Sequence, residues 1–216
     1  LVGYTNAGKS SLLKALSGAD VLVEDRLFAT LDSTTRAVEL ENGLDALVTD
    51  TVGFIRKLPH HLVASFRSTL EEAREADVLL HVVDASHPDR EEHEEVVREV
   101  LADLDLSERP LLMVYNKIDR LTHDEELALR KRTAALAPDP AVFVSAHQPD
   151  SLEALQQALV ERLRGLLHEV RIRVPAHAGD VLAALHREGE VVRQDQEGST
   201  MEVIARVPTP LLGRLR

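Results

Sequence analysis

Cysteine and tryptophan are absent from this chain, and aromatic residues fill only 3% of its 216 positions. Without cysteine there is no disulfide and no thiolate metal site, which suits a reducing compartment. No run of about 18 apolar residues occurs, so no stretch has the length of a membrane-spanning helix. A basic-then-apolar leader is also missing, and nothing in the sequence argues for secretion. Residue 1 is Leu and the first motif starts at Gly3, so we expect the first strand to be cut and the natural chain to extend further N-terminally. Positive charge is scarce: 25 Lys and Arg face 37 Asp and Glu, a formal net charge of −12. Such a surface repels a phosphate backbone as a whole, so this segment is not expected to bind DNA or nucleic acid in general. A local basic patch or an upstream segment is the remaining route to RNA. What the chain does have is a 44% apolar share, enough for a sizeable core.

That apolar content falls into short runs at 46–49, 78–83, 111–115 and 141–144, the near-continuous pattern of buried parallel strands. Helix-patterned stretches separate them, at 9–17, roughly 59–75, 89–104, 124–136 and 151–167. This alternation predicts a P-loop-type three-layer, doubly wound α/β fold on a mostly parallel sheet. One connection differs. Segments 36–41 and 45–49 flank Asn42-Gly43, a hairpin signal, so one edge strand is expected to run antiparallel. Asp150 or Ser151 is placed to cap the helix that follows. After residue 168 a second unit begins: strand 169–174, helix 179–187, and strands 190–195 and 199–207. We expect a main domain over 1–168 and a small α/β C-terminal domain over 169–216, too short for a comfortable independent core and therefore docked on the first. Leu211, Leu212 and Leu215 in the tail are expected to pack on the body.

Gly3-Tyr4-Thr5-Asn6-Ala7-Gly8-Lys9-Ser10 fits the phosphate-loop pattern G-x-x-x-x-G-K-[ST]. Its glycines let successive backbone N–H groups face phosphate oxygens, and the helix that follows aims its N-terminus at the same anion. Lys9 supplies a compact charge toward the β- and γ-phosphates, the Ser10 hydroxyl can ligate Mg²⁺, and Ser11 stands next to it in the nucleotide pocket. Asp50-Thr51-Val52-Gly53 follows an apolar run directly. An Asp at the C-terminal end of a strand points into the ligand crevice and can hold the magnesium shell. Gly53 lets its N–H approach the γ-phosphate. Phe28-Ala29-Thr30-Leu31-Asp32-Ser33-Thr34-Thr35-Arg36 is polar and rich in hydroxyls. It is placed to cover the nucleotide and lend a threonine to Mg²⁺ only when the γ-phosphate is present. Thr30, Thr34 and Thr35 all compete for that role on spacing.

Asn116-Lys117-Ile118-Asp119 follows the run 111–115 and gives N-K-x-D. The Asp119 carboxylate accepts from the N1–H and N2–H₂ edge that guanine offers and adenine does not. Charge-assisted hydrogen bonds are worth about 1.5–3 kcal/mol each, so the pair favours guanine strongly. Asn116 ties segments together, the Lys117 stem lies over the purine, and Ser145-Ala146 is positioned to donate a backbone N–H to guanine O6. Each motif alone is weak. Their order is specific: phosphate loop, D-x-x-G about 40 residues later, N-K-x-D about 65 further on, then Ser-Ala.

In these segments the chain resembles a translation-factor-class GTPase, most closely the HflX family. The specific parts are Leu27-Phe28-Ala29-Thr30-Leu31-Asp32 and the stretch from Asp50 to Glu72. The match covers about three quarters of the chain. The resemblance implies hydrolysis of GTP to GDP and phosphate with Mg²⁺, catalysed around Lys9, Thr30 and Gly53, with Ser10, Thr30 and Asp50 as metal ligands. Thr30 becomes the switch threonine through the resemblance alone. It further implies association with the large ribosomal subunit, rRNA and ribosomal proteins, and splitting or rescue of ribosomes, mainly through an N-terminal domain that precedes this segment. A monomer in the cytoplasm is expected, with a peripheral place at the membrane left open. The alternatives are a nucleotide-switched binding module, and a ribosome-assembly or tRNA-modification GTPase that hydrolyses only on its partner.

The sequence departs from the family pattern at Ser33, where proline is usual, and at His147, where Lys or Arg is commoner. Many GTPases carry Gln after D-x-x-G to orient water. Here Phe54 stands there and cannot hydrogen-bond, so intrinsic hydrolysis is expected to be slow. Help would come from a ribosomal partner, or from K⁺ held by Asn6, as in related cation-dependent GTPases. Arg36 and Arg56 read as solvated rather than catalytic. His60-His61 lacks a carboxylate at ligand spacing, and Glu91-Glu92-His93-Glu94-Glu95 reads as a solvated helix start.

Overall fold

The computed structural model describes residues 1–18, 33–40, 44–54, 72–136 and 139–215. It divides into two compact units, Leu1–Val160 and Glu161–Arg216.

The first unit is built on a parallel sheet ordered β1-β4-β5-β6. Its strands are β1 (Val2–Gly3), β4 (Leu79–Asp84), β5 (Leu111–Asn116) and β6 (Ala141–Phe143). Strands β2 (Thr34–Glu39) and β3 (Asp45–Asp50) form an antiparallel ribbon in which Thr34 faces Asp50 and Glu39 faces Asp45. The ribbon's continuation runs beside β1: Phe54 N–H donates to Gly3 O and Thr5 N–H to Phe54 O, both at 2.9 Å. So β2 is the antiparallel edge the sequence predicted, although the Asn42-Gly43 turn lies outside the described residues. Thr34 and Thr35 are a correction. Read as loop, they are the first two residues of β2, and Thr35 Oγ1 lies 2.8 Å from Thr49 Oγ1. That cross-strand hydroxyl pair gives a polar stretch a reason to be strand.

Helix α1 (Lys9–Ser17) starts from Gly8 at φ 94° and stops at Gly18 at φ 64°, whose N–H returns to Lys14 O. Both ends are left-handed positions that favour glycine. Leu12, Leu13 and Leu16 are buried on one side of α1. Helices α2 (Arg90–Asp103), α3 (His123–Leu136) and α4 (Leu152–Gly165) follow, the last running past Val160 into the second unit, and single 3₁₀ turns sit at Ile118–Arg120 and Pro149–Ser151. The helix expected at 59–75 falls mostly outside the described residues, as do Arg56, His60 and His61. Strand β4 runs between β1 and β5 and is buried along all but its last residue. Val2, Phe54, Leu79, Val97 and Leu101 make one cluster on the α2 side of the sheet. No described helix is long and apolar enough to cross a membrane.

The second unit has a three-stranded antiparallel sheet ordered β7-β9-β8, from β7 (His168–Pro175), β8 (Glu190–Glu197) and β9 (Thr200–Val207), with helices α5 (Gly179–Glu188) and α6 (Thr209–Arg214). It has a core of its own: alternate β9 residues Val203, Ala205 and Val207 bury with Leu185 and Leu211. The tail leucines Leu212 and Leu215 pack on that same core. The alternation of β9, with Met201, Val203, Ala205 and Val207 on one face and Thr200, Glu202, Ile204 and Arg206 on the other, is what allows so short a segment to bury one face.

Candidate functional site

All the sequence motifs with described residues meet where strands β1, β3, β4 and β5 end. The phosphate loop bends there because two of its positions are left-handed, Asn6 at φ 61° and Gly8 at φ 94°. Gly8 also has no room for a side chain: a Cβ would stand 2.3 Å from Asn116 Nδ2. Gly53 is equally tight, since a Cβ there would lie 2.6 Å from Thr5 Cα and 3.1 Å from Lys9 Nζ. The D-x-x-G glycine therefore permits contact between two loops as well as backbone approach to a ligand.

Lys9 is buried, and its ammonium donates to the carbonyls of Gly3 and Tyr4 at 3.3 Å each. Burial pushes its pKa down to about 8, with the Asp50 carboxylate opposing the fall. A cation held this far from water gains strongly from an anion at close range. Ser10 Oγ donates to Asp50 Oδ2 at 2.5 Å, and Asp50 is 1% exposed. A hydroxyl and a carboxylate oxygen in contact are the hard oxygen donors that Mg²⁺ takes, so this pair fits such an ion. Ser11 follows in α1, and Thr51 and Val52 are buried behind Asp50. Phe54 is fully buried in the cluster with Val2 and Leu79, with its ring turned away from solvent chemistry.

The base-reading segments are physically tied to the phosphate loop. Asn116 Nδ2 donates to Ala7 O at 3.0 Å, and its Oδ1 accepts from Ala146 N–H at 3.1 Å. Lys117, at φ 67°, donates from Nζ to Asn6 O at 2.7 Å and to Asp84 Oδ2 at 2.6 Å. Its stem thereby lies along the loop. Ser145 Oγ donates to Asp119 Oδ1 at 2.5 Å, and Ile118 N–H to Val144 O at 3.2 Å, so Asp119 is oriented by the Ser-Ala loop.

Two contributors were missed from the sequence. Asp84 ends β4, and Asn116 stands opposite it in β5. Burial works to raise its carboxyl, but hydrogen bonds from Lys117 and Ser86 outweigh this and hold it below the usual carboxylate range. The signal was available: an Asp closing a buried strand, as Asp50 does. Ser151 is one of the two residues expected to cap the helix. Instead its hydroxyl accepts from Ser145 N–H at 2.8 Å and bonds Gln148 O at 2.7 Å, bracing the Ser-Ala loop. Phe28, Ala29, Thr30, Leu31 and Asp32 lie outside the described residues. Arg36 is exposed on β2, as expected of a surface arginine. Glu94 differs from the solvated reading: it is half-buried and accepts from Tyr115 Oη at 3.3 Å.

The family described as "50S ribosome-binding GTPase" matches residues 1–117. The chain is 44% identical over 206 residues to the GTPase HflX of Akkermansia muciniphila, covering 94% of this chain and 47% of that one. It is 43% identical over 216 residues to the GTPase HflX of Caldanaerobacter subterraneus, covering 100% and 48%. This chain belongs to the HflX family of 50S ribosome-binding GTPases. It spans about half the length of the curated HflX relatives it matches. Among solved structures it is similar to a GTP-binding protein of Sulfolobus solfataricus in complex with GDP, with a TM-score of 0.59 and 30% identity over 76% of this chain and 51% of that one. The likeness bears out the P-loop GTPase fold expected of this HflX-family chain.

Proposed function

We propose that this chain binds GTP and GDP and hydrolyses GTP to GDP and phosphate. The observation that carries this is the lacing of base reader to phosphate loop through Asn116 and Lys117. Two loops with the chemistry for the two ends of one nucleotide are held at fixed separation by side chains that need no ligand to do it. In this reading the amides of Gly3, Tyr4, Thr5, Asn6, Ala7 and Gly8 with Lys9, Ser10 and Ser11 hold the phosphates. Asn116, Lys117, Ile118, Asp119, Ser145 and Ala146 read guanine, and Thr51, Val52 and Gly53 face the γ-phosphate. Phe28, Ala29, Leu31 and Asp32 cover the nucleotide.

Ser10 and Asp50 would hold Mg²⁺, with Thr30 as the switch ligand; the ion supplies charge neutralisation across the β- and γ-phosphates. Lys9 balances charge on the γ-phosphate as the bond to water forms in line with the leaving oxygen. K⁺ beside the phosphates is proposed at Asn6, an exposed residue on the outer turn of the loop. We place the nucleotide-binding domain at 1–168 and the small domain at 169–216. The whole protein is proposed to act as a cytoplasmic monomer on the large ribosomal subunit, splitting or rescuing ribosomes.

A second reading is favoured by Phe54. With its ring in the core and both its backbone groups bonded to the phosphate loop, it has nothing to orient water. Nucleotide would then act first as a conformational ligand, and hydrolysis would wait for a partner. Single-turnover GTP hydrolysis, with and without large ribosomal subunits, in K⁺ and in Na⁺, tests both. The enzyme reading expects turnover by the chain alone, faster in K⁺. The switch reading expects turnover only with subunits. Equal competition by ATP for the bound GTP would remove the guanine assignment.

A further inference from the structure

A cavity of about 230 Å³ opens beside the phosphate loop, between β4 and the first turns of α2. Its floor includes His81, in a strand that otherwise reads Leu-Leu-His-Val-Val-Asp. His81 is 1% exposed, and its Nδ1 has no hydrogen-bond partner among the described residues. A valine or leucine would fill that strand position without the penalty of an orphaned nitrogen, so packing does not account for an imidazole there. Burial, then the charges of Arg98 and Lys9, push it down to about pKa 3. The ring is therefore neutral and suited to exchanging a single hydrogen bond.

The walls have a defined chemistry. Tyr4 of the phosphate loop and His93 of α2 stack with centroids 3.7 Å apart and planes 7° from parallel, and His87 leans on His93 at 4.4 Å. His87 Nδ1 accepts from Asp89 N–H at 3.1 Å, which puts its own proton on Nε2. Asp84 and Glu94 line the same cavity, beside Thr5, Asn6 and Ala7 of the phosphate loop, and among the described residues no Lys or Arg does. Asp84 is already paired with Lys117, so Glu94 is the carboxylate that disfavours anions; with a flat aromatic shelf and a neutral imidazole floor, the cavity suits planar donors. A dry cavity of roughly 150 Å³ holds benzene, so this one has room for one or two fused rings.

We propose that this cavity is a second ligand site, which takes a small planar nitrogen heterocycle, uncharged or cationic, stacked against the Tyr4–His93 shelf and hydrogen-bonded to the His81 ring. It shares Tyr4, Thr5, Asn6 and Ala7 with the phosphate loop and Asp84 with Lys117, so an occupant and a nucleotide will alter each other's affinity.

The test is a titration of the chain, ¹³C-labelled at histidine, with benzimidazole, benzamidine and benzoate, followed by NMR of the ring signals. Saturable shifts of His81 and His93 with benzimidazole and benzamidine, but none with benzoate, are expected. His93→Ala, on the rim, should weaken binding at least tenfold, and His81→Leu, which keeps the strand packed, should do the same. GDP affinity in each variant reports whether the fold is intact. Linear, unsaturable shifts, equal binding of benzoate, or full binding by both folded variants would overturn the assignment. Failure of GDP binding alone would count against the nucleotide reading and leave this one standing on its own titration.

Discussion

Asn116 offers the sharpest separation between scaffold and ligand chemistry. In Asn116→Ala the carbonyl of Ala7 loses its donor at 3.0 Å and the N–H of Ala146 loses its acceptor at 3.1 Å. Asn116 is 1% exposed and Ala7 2%, so water does not readily replace the donor to Ala7 O, whereas Ala146 is half-buried. A buried polar group left unsatisfied costs about 1–3 kcal/mol, and the half-buried second group adds less, so the loss is at least about 1–3 kcal/mol. For a domain of this size that is a large share of a total stability of about 5–15 kcal/mol. The loss belongs to the nucleotide-free protein, because both bonds join protein to protein. Urea unfolding without nucleotide, followed by circular dichroism, should show the midpoint falling with little change in slope. If the variant unfolded within about 0.5 kcal/mol of the parent while losing GDP affinity, Asn116 would be a ligand contact only, and the claim that it preassembles the site would be wrong. Asn116→Asp should not rescue, since a carboxylate cannot donate to Ala7 O.

The other expectations concern the same strand ends. Gly53→Ala drives a Cβ to 2.6 Å from Thr5 Cα, and overpacking against backbone of this kind should cost about 1–3 kcal/mol, read as a lowered melting temperature without nucleotide. Asp84→Asn removes the charge that holds Lys117 at 2.6 Å; GDP and GTP should both weaken about tenfold in fluorescence titrations, and a loss confined to GTP would refute the assignment to the base side. Lys9 gives a pH signature. With its folded pKa near 8 against the ordinary lysine value of 10.5, the nucleotide-free fold binds fewer protons than the unfolded chain between those values. Stability should therefore rise with pH through that window and show no such gain below it. A phosphate beside Lys9 restores its proton, so GDP binding at pH 8.5 should take up a proton and at pH 6.5 should not, as measured by calorimetry in buffers of different ionisation heat.

The phosphate loop, Asp50, Asn116 and Asp119 were legible because each motif demands residue types that backbone geometry enforces. Gly8 is an example: both its φ of 94° and its contact with Asn116 forbid a side chain. What escaped was chemistry set by tertiary register. Asp84 stands just past the apolar run 78–83 with no motif around it, and only its place opposite Asn116 brings it to Lys117. Ser151 looked like a cap because local spacing favours caps, while its hydroxyl is spent on a loop six residues back. Thr34 and Thr35 looked like loop because hydroxyl-rich stretches usually are, and pairing with β3 overrode that propensity. The C-terminal unit looked too short for a core because length was weighed before the alternation of β9.

The case of Asp84 also explains how the site works. In a parallel sheet every strand runs toward one edge, so residues far apart in sequence arrive together only if the registers agree. Gly3 lies beside Val82, and Asp84 beside Asn116, each fixed by the ladders of β4. Side chains alternate faces along a strand, so a slip of one residue in β4 would turn Asp84 away from Lys117 and send His81 and Val83 to the opposite face. Four fully or nearly buried apolar residues, Leu79, Leu80, Val82 and Val83, oppose that slip. The precision of the polar edge is thus inherited from apolar packing several residues upstream. Substitutions in the middle of β4 should reach Lys117 without touching it.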